Sequence, residues 1–160
     1  MQKKSKTATP RTAKSEAASP EVSVYIADDF REEVRGTITA VGLHTTRSLT
    51  VYLPEDEVFG KDKPVAIHSL SFLVAMKGFI GPKIMSFSFT LPSNPDELIS
   101  TRRQRHTFNS VNDGVNMIIP GQPFLFHEFG PRSVVVDVDD YRQIVHFEIL
   151  RGKLPTPTKA

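Results

Sequence analysis

The segment Met85-Ser86-Phe87-Ser88-Phe89-Thr90-Leu91 alternates apolar and hydroxylic residues without a break. Successive side chains of a β-strand point to opposite faces of the sheet, so this segment predicts a strand with one buried and one solvated face. Similar alternation recurs in His68–Lys77, Ser133–Val138 and Gln143–Leu150. Short alternating runs separated by Gly, Pro and Asp turns are typical of antiparallel β domains.

Working outward from these runs, the remaining apolar segments bring the prediction to about eight strands. Val22–Ala27 predicts the first strand, and Asp28–Arg35 either continues it into a hairpin or forms one helical turn that stops at Gly36. We favour the hairpin because an isolated two-turn helix is marginal. Further strands are predicted at Leu49–Leu53, Val115–Ile119 and Pro123–Phe129. The expected fold is therefore all-β, an antiparallel β-sandwich of about seven to nine strands with at most one short helix.

The longest stretch without a strand pattern is Pro92–Ser110, which we predict to be irregular. Asn94 is a possible N-cap for one short helix over Pro95–Arg105. This stretch contains the basic run Arg102-Arg103-Gln104-Arg105-His106. Because arginine grips carboxylates in a bidentate fork, the candidate site for a protein partner is Arg102, Arg103, Arg105 and His106. The alternative is that this run is a solvated loop or the polar face of a short helix.

The positive charge of the chain lies at its ends. Residues 1–20 hold five basic residues and one acid, and residues 151–160 hold three basic residues and no acid. Residues 21–150 hold 12 basic and 17 acidic residues, so the body is slightly acidic. Phosphate binding needs basic charge on the docking surface, so we do not expect the body to bind nucleic acid. Weak electrostatic contact between the basic N-terminal tail and nucleic acid is left open as an alternative.

The composition of the ends divides the chain into three parts. Residues 1–20 are mostly Lys, Ser, Thr, Ala and Pro, and such a segment is expected to be disordered when free. Residues 21–151 are predicted to form the sandwich, and residues 152–160 a second disordered tail. The chain has no Cys, no signal-peptide pattern and no apolar run long enough to cross a membrane. These features predict a cytoplasmic protein.

Two acidic clusters suggest a cation site as an alternative. One contains Asp28 and Asp29, and the other contains Asp137, Asp139 and Asp140. Paired acidic loops at one end of a sandwich can hold Ca²⁺, which takes six to eight oxygen ligands. The other interpretation is that these residues belong to turns and solvated faces, where Asp is favoured.

No motif in the sequence indicates catalysis. None of the five His residues forms a metal-binding pair with another, and the sequence contains no nucleophile elbow or Walker loop. The glycines of Lys77-Gly78-Phe79-Ile80-Gly81 lie between two predicted strands, which favours a β-turn over a phosphate cradle. We therefore expect no enzyme activity and no cofactor. A hydrolase acting through paired carboxylates is the remaining catalytic alternative.

The segment from Val24 to Leu43 resembles the start of a family of small bacterial and phage domains of uncharacterised function. These domains open with a strand, an Asp-Asp-x-Arg-x-Glu segment, a glycine turn and a second strand that ends near glycine. The matching residues are Asp28, Asp29, Arg31, Glu33, Gly36 and Gly42. The resemblance implies a β-sandwich of bacterial or phage origin and implies no activity.

These observations together predict a non-enzymatic module that binds a protein partner or associates with itself. The strand pattern is complete while catalytic pairs are missing, so loops and exposed edge strands are the expected contact surfaces. The second hypothesis is a Ca²⁺-dependent ligand- or membrane-binding sandwich that uses the acidic clusters.

Overall fold

The computed structural model describes residues 19–121 and 123–154, except for the side chains of residues 100–102. Most of the two predicted tails therefore lies outside the described residues. The last strand continues to Lys153, so the ordered body extends two residues beyond the boundary predicted at residue 151. The described residues contain no helix that is long and apolar enough to cross a membrane.

The described part of the chain is all-β, and its strands follow one another through turns and loops. Their bounds are β1 (Glu21–Glu32), β2 (Ile38–Leu43), β3 (Ser48–Leu53), β4 (Val65–Ile67), β5 (Ser71–Lys77), β6 (Gly81–Leu91), β7 (Asn94–Phe108), β8 (Val115–Pro120), β9 (Phe124–Phe126), β10 (Gly130–Val138) and β11 (Tyr141–Lys153).

The strands form a β-sandwich, as predicted. One sheet has the order β2-β1-β5-β8, the other has the order β3-β11-β10-β6-β7, and β4 pairs with β9 in a small separate sheet. The two main sheets contain nine strands. One pair departs from the antiparallel prediction, because β3 runs parallel to β11. The short link between β2 and β3 carries the chain from one sheet to the other, so β3 does not return alongside its predecessor as a hairpin strand would.

The period-two pattern selects the side chains that fill the space between the sheets. Met85, Phe87 and Phe89 of β6 are buried, and β10 and β11 contribute alternate residues in the same way. The buried residues of these two neighbours are Val134, Val136, Val138, Val145, Phe147 and Ile149. Removing this apolar surface from water supplies the main stabilising free energy of the fold.

Phe72 joins the two sheets at the centre of the core. It belongs to β5 and is fully buried. Its ring centroid lies 5.5 Å from that of Phe87, 5.1 Å from that of Phe89 and 6.0 Å from that of Phe147, all in the opposite sheet. Tilted and edge-on aromatic pairs of this kind contribute about 0.5–1.5 kcal/mol each beyond their buried area. Phe72 is therefore the side chain on which contact between the sheets depends most.

The hairpin interpretation of the opening segment is confirmed. β1 and β2 pair antiparallel from Ala27 opposite Leu43 to Glu32 opposite Ile38. The turn between them uses positive φ at Arg35 and Gly36, and the N–H of Glu33 donates to the carbonyl of Thr37 at 2.7 Å. Arg31 binds Asp29 of its own strand rather than an acid across the hairpin.

The prediction of an irregular stretch with a possible short helix at Pro92–Ser110 is wrong. Most of this stretch is β7, which pairs with β6 from Asn94 opposite Leu91 to Phe108 opposite Gly81. The pairing with β6 satisfies the backbone groups along one edge of β7 and holds it as a strand, although its sequence alternates poorly. β-Bulges shift the register between Phe87 and Ser88 and between Phe89 and Leu91, which further obscures the period of two.

Replacing the central aromatic side chain tests this packing. Phe72→Ala should lower the free energy of unfolding by about 3–5 kcal/mol, because it leaves a cavity between the sheets. Val34→Ala is the matched control, since Val34 is 87% exposed and its truncation should change stability by less than about 0.5 kcal/mol. Urea titrations of both variants measure the effect, and equal losses would contradict the proposed role of Phe72.

Candidate protein-binding site

The arginine run predicted as a loop lies in β7, at one edge of the five-stranded sheet. Arg102 is placed opposite Phe87, Arg103 opposite Ser86 and Arg105 opposite Ile84. The side chain of Arg102 lies outside the described residues. The loop interpretation is therefore wrong, while Arg103 and Arg105 are exposed as a binding role requires.

Strand alternation divides the predicted site between two faces. Arg103 and Arg105 are two residues apart in β7, so their side chains lie on the same face of the strand. Both are paired with outward-facing residues of β6. His106 lies on the other face, where its ring centroid is 4.9 Å from that of the buried Phe108. The structure therefore brings Arg103 and Arg105 together and separates them from His106.

Arg103 and Arg105 have no ion pair and no side-chain hydrogen bond with the described residues. Two other exposed arginines, Arg31 and Arg142, are paired locally. Arg31 Nε lies 2.9 Å from Asp29 Oδ2, and Arg142 Nε lies 2.6 Å from Asp137 Oδ1. The two arginines of β7 are thus available for carboxylates that the described part of the chain does not supply.

A groove runs across the outer face of the sheet beside Arg103. The register places Arg142, Asp137, Ser86 and Arg103 side by side on four neighbouring strands. The outer groove, as we call the open space along this row, has a volume of about 890 Å³. Its lining combines charged groups with the half-exposed side chain of Ile84 and that of Leu98. The lining holds three Asp and two Arg side chains. An acidic group of a partner therefore fits only beside Arg103, while Ile84 and Leu98 suit apolar groups.

β7 also presents an edge of main chain. It pairs with β6 on one side, and no strand in the described ranges pairs with its other side. Unpaired N–H and C=O groups along such an edge can pair with a strand from another chain. Charged residues on an edge strand also discourage unselective pairing, so Arg103 and Arg105 restrict which strands can be added.

The acidic residues predicted as a calcium site are divided between the two sheets. Asp28 and Asp29 belong to β1, where Asp28 Oδ1 lies 3.1 Å from His44 Nε2 and Asp29 binds Arg31. Asp137, Asp139 and Asp140 lie at the β10–β11 hairpin. No group of three or more His or acidic side chains among the described residues could hold a metal ion. The Ca²⁺ alternative thus has no geometric support there.

Asp139 has a structural role in the hairpin. Its φ is +50°, and its backbone N–H donates to the carbonyl of Ile84 at 2.9 Å. Its Oδ1 accepts from the N–H of Ile84 at 2.9 Å, and its Oδ2 lies 3.1 Å from Lys83 Nζ. These two interactions lower the pKa of the Asp139 carboxyl, the hydrogen bond from Ile84 contributing more.

The hydrolase alternative needs a carboxyl whose pKa is raised toward neutral pH. The described carboxyls with a shifted pKa are Asp113, Glu128 and Asp139, and in each of them the pKa is lowered. Hydrogen bonds from Ser110 and Ser93 cause the shifts at Asp113 and Glu128. These three groups stay ionised and are not poised as general acids.

Arg132 is a buried charged residue that no sequence motif singled out. Arg132 is only 3% exposed, although it is the first member of the alternating series that continues with Val134, Val136 and Val138. Its parity in the strand was the available signal, because a residue at an inward position of a buried strand points into the core. Burial lowers the pKa of its guanidinium.

Comparisons with known proteins add no assignment to this geometry. No protein-family model matches the chain, and no curated protein is significantly similar to it in sequence.

The Asp139 contacts predict a pH-dependent contribution to stability. Since its folded-state pKa lies below the ordinary 3.8, the contribution is present above that value and disappears as pH falls through the lower folded-state pKa. Asp139→Asn tolerates the same backbone but cannot ionise. It should be less stable than the wild type at neutral pH, and the difference should shrink in acid. Urea unfolding of both proteins at neutral pH and in acid measures the difference in free energy of unfolding. A difference that does not change with pH would contradict the proposed role of the ionised Asp139 carboxyl.

Proposed function

We propose that the chain is a non-enzymatic protein-binding or assembly module of bacterial or phage origin that acts in the cytoplasm. Its partner supplies an acidic, extended segment that adds a strand to the free edge of β7. The observation that carries this proposal is an unpaired strand edge whose two exposed arginines have no carboxylate partner among the described residues.

The main chain of β7 supports the addition of a strand. β7 has 15 residues, so the edge is longer than most single strands and offers many backbone donors and acceptors. Main-chain hydrogen bonds supply affinity in this mode of recognition, while side-chain pockets on alternate residues supply selectivity. The outer groove provides such contacts on the same face as Arg103.

Charge complementarity supports an acidic partner. Arg103 and Arg105 lie two residues apart, so acidic residues at alternate positions of an added strand face both guanidinium groups. Ile84 and Leu98 are exposed by 44% and 39%, and they favour apolar residues elsewhere in the segment. The expected ligand is a strand-forming sequence with two alternating acids and neighbouring apolar residues.

A different protein fits this role better than a second copy. The exposed acidic loop at residues 55–57 is one candidate within this chain, but two of its three acids are already in ion pairs. Glu55 Oε1 lies 3.0 Å from Lys153 Nζ, and Glu57 binds Lys63 Nζ. Self-association through this loop would require the internal ion pairs to break.

Selection from a library of random linear peptides tests the proposal. The wild-type chain should enrich strand-forming peptides with acids at alternate positions. The double variant R103E/R105E should bind those peptides at least roughly thirtyfold more weakly, because two attractions of about 0.5–1 kcal/mol each become repulsions of similar size. Added salt should weaken the wild-type complex for the same reason.

The matched control is R35E/R47E, which changes the same charge at two exposed residues remote from β7. It should bind the selected peptides as the wild type does. Equal binding by R103E/R105E and the wild type would refute the arginine site. Light scattering on the wild-type chain would report a dimer if self-association, rather than a separate partner, occupies the edge.

A further inference from the structure

A small apolar cavity lies at one end of the sandwich, between the two main sheets and the small β4–β9 sheet. We call it the end pocket and define it by Phe72, Phe89, Leu91, Ile119, Phe124 and Arg132. Its volume is about 320 Å³, near the lower end of the ~300–1,000 Å³ typical of small-molecule sites. The aromatic rings of this wall pack together, with 5.3 Å between the centroids of Phe89 and Phe124.

Arg132 is the one charged residue that lines this pocket among the described residues. It lies at an inward position of β10, opposite Phe147, and is only 3% exposed. Its Nη2 donates to the carbonyl of Glu128 at 2.8 Å, while its buried Nε has no hydrogen-bond partner in the described ranges. A guanidinium carries five N–H donors, so most of its hydrogen-bonding capacity is unused.

The nearby carboxylate does not neutralise Arg132. The Oε2 of Glu128 accepts from the N–H of Ser93 at 2.8 Å, and its Oε1 accepts from the Ser93 hydroxyl at 2.7 Å. His127 Nε2 lies 3.0 Å from the same Oε1. No carboxylate of the described residues forms an ion pair with Arg132. The charge of Glu128 favours the charged form of Arg132, but its carboxylate makes no direct contact with the buried guanidinium. An anion that enters the pocket and binds the guanidinium directly would lower the cost of burying this charge.

We propose that the end pocket binds a small monocarboxylate with an apolar body. The carboxylate lies against the guanidinium of Arg132, whose planar fork matches two carboxylate oxygens. The aliphatic or aromatic body packs against Phe72, Phe89 and Phe124. A peptide terminus fits less well, because its backbone amides would be buried against an apolar wall without hydrogen-bond partners.

Titration of the full chain with octanoate and with octanol tests the proposal. The two probes share an apolar body, and only octanoate carries the charge. We expect octanoate to bind at least about tenfold more tightly than octanol, since the difference reports a charge-assisted hydrogen bond to Arg132. Calorimetry measures the affinities, and nuclear magnetic resonance should place the shifted signals at Phe124 and Ile119.

Arg132→Met removes the charge and retains most of the side-chain length. This variant should lose the preference for octanoate and bind both probes similarly. Arg31→Met, at an exposed position of β1 outside both proposed binding surfaces, is the matched control and should retain the preference. If Arg132→Met does not fold, Ile119→Trp serves instead, because it fills the pocket while leaving Arg132 in place, and both probes should then bind at least about tenfold more weakly.

Two results would overturn the proposal. The first is equal affinity of the wild-type chain for octanoate and octanol. The second is a preference for octanoate that persists in Arg132→Met or, where that variant does not fold, unchanged affinity of Ile119→Trp for both probes. Either result would leave Arg132 with the structural role of holding the carbonyl of Glu128. Arg103 and Arg105 take no part in the pocket, so this outcome is independent of the proposed protein-binding edge.

Discussion

The contact of Phe72 with the aromatic side chains of the opposite sheet is the constraint on which the rest of the structure depends. Phe72 lies in β5, and Phe87, Phe89 and Phe147 lie in β6 and β11, with ring centroids 5.1–6.0 Å from its own. Once these rings are buried, the parity of each central strand is fixed, because a shift of one residue would turn its apolar set to solvent.

This parity determines where the polar chemistry is found. The fully buried inward positions of the central strands β5, β6, β10 and β11 are apolar except for Arg132, which brings a buried charge to the end pocket. Outward positions carry the row that includes Asp137 and Arg103, while β7 leaves one edge of its sheet without a described neighbour. The two proposed binding surfaces thus follow from one packing arrangement. The protein-binding site is the free edge of β7, and the end pocket is an incompletely filled end of the core.

Strands could be predicted from sequence where one of their faces is buried and the other is exposed to solvent, and this covers most of the fold. The strands around Phe87, Val136 and Phe147 follow this rule, and the β1–β2 hairpin followed from its glycine turn. β7 could not be recognised, because many of its side chains are polar and its strand conformation depends on backbone pairing with β6 along one edge. The candidate site was predicted only in part. The charge of the arginine run pointed to Arg103 and Arg105, but their exposure and their separation from His106 depend on which face of β7 each side chain occupies.

Amide hydrogen exchange, resolved by residue, tests the central claim that β7 is an edge strand on a closed two-sheet core. In an antiparallel edge strand only alternate amides bond to the neighbour. Slow and fast exchange should therefore alternate between Arg103 and Phe108, while the interior strands β6 and β10 exchange slowly at nearly every position. Uniformly fast exchange in β7, or continuous protection over residues 95–105 of the kind a helix gives, would contradict this account.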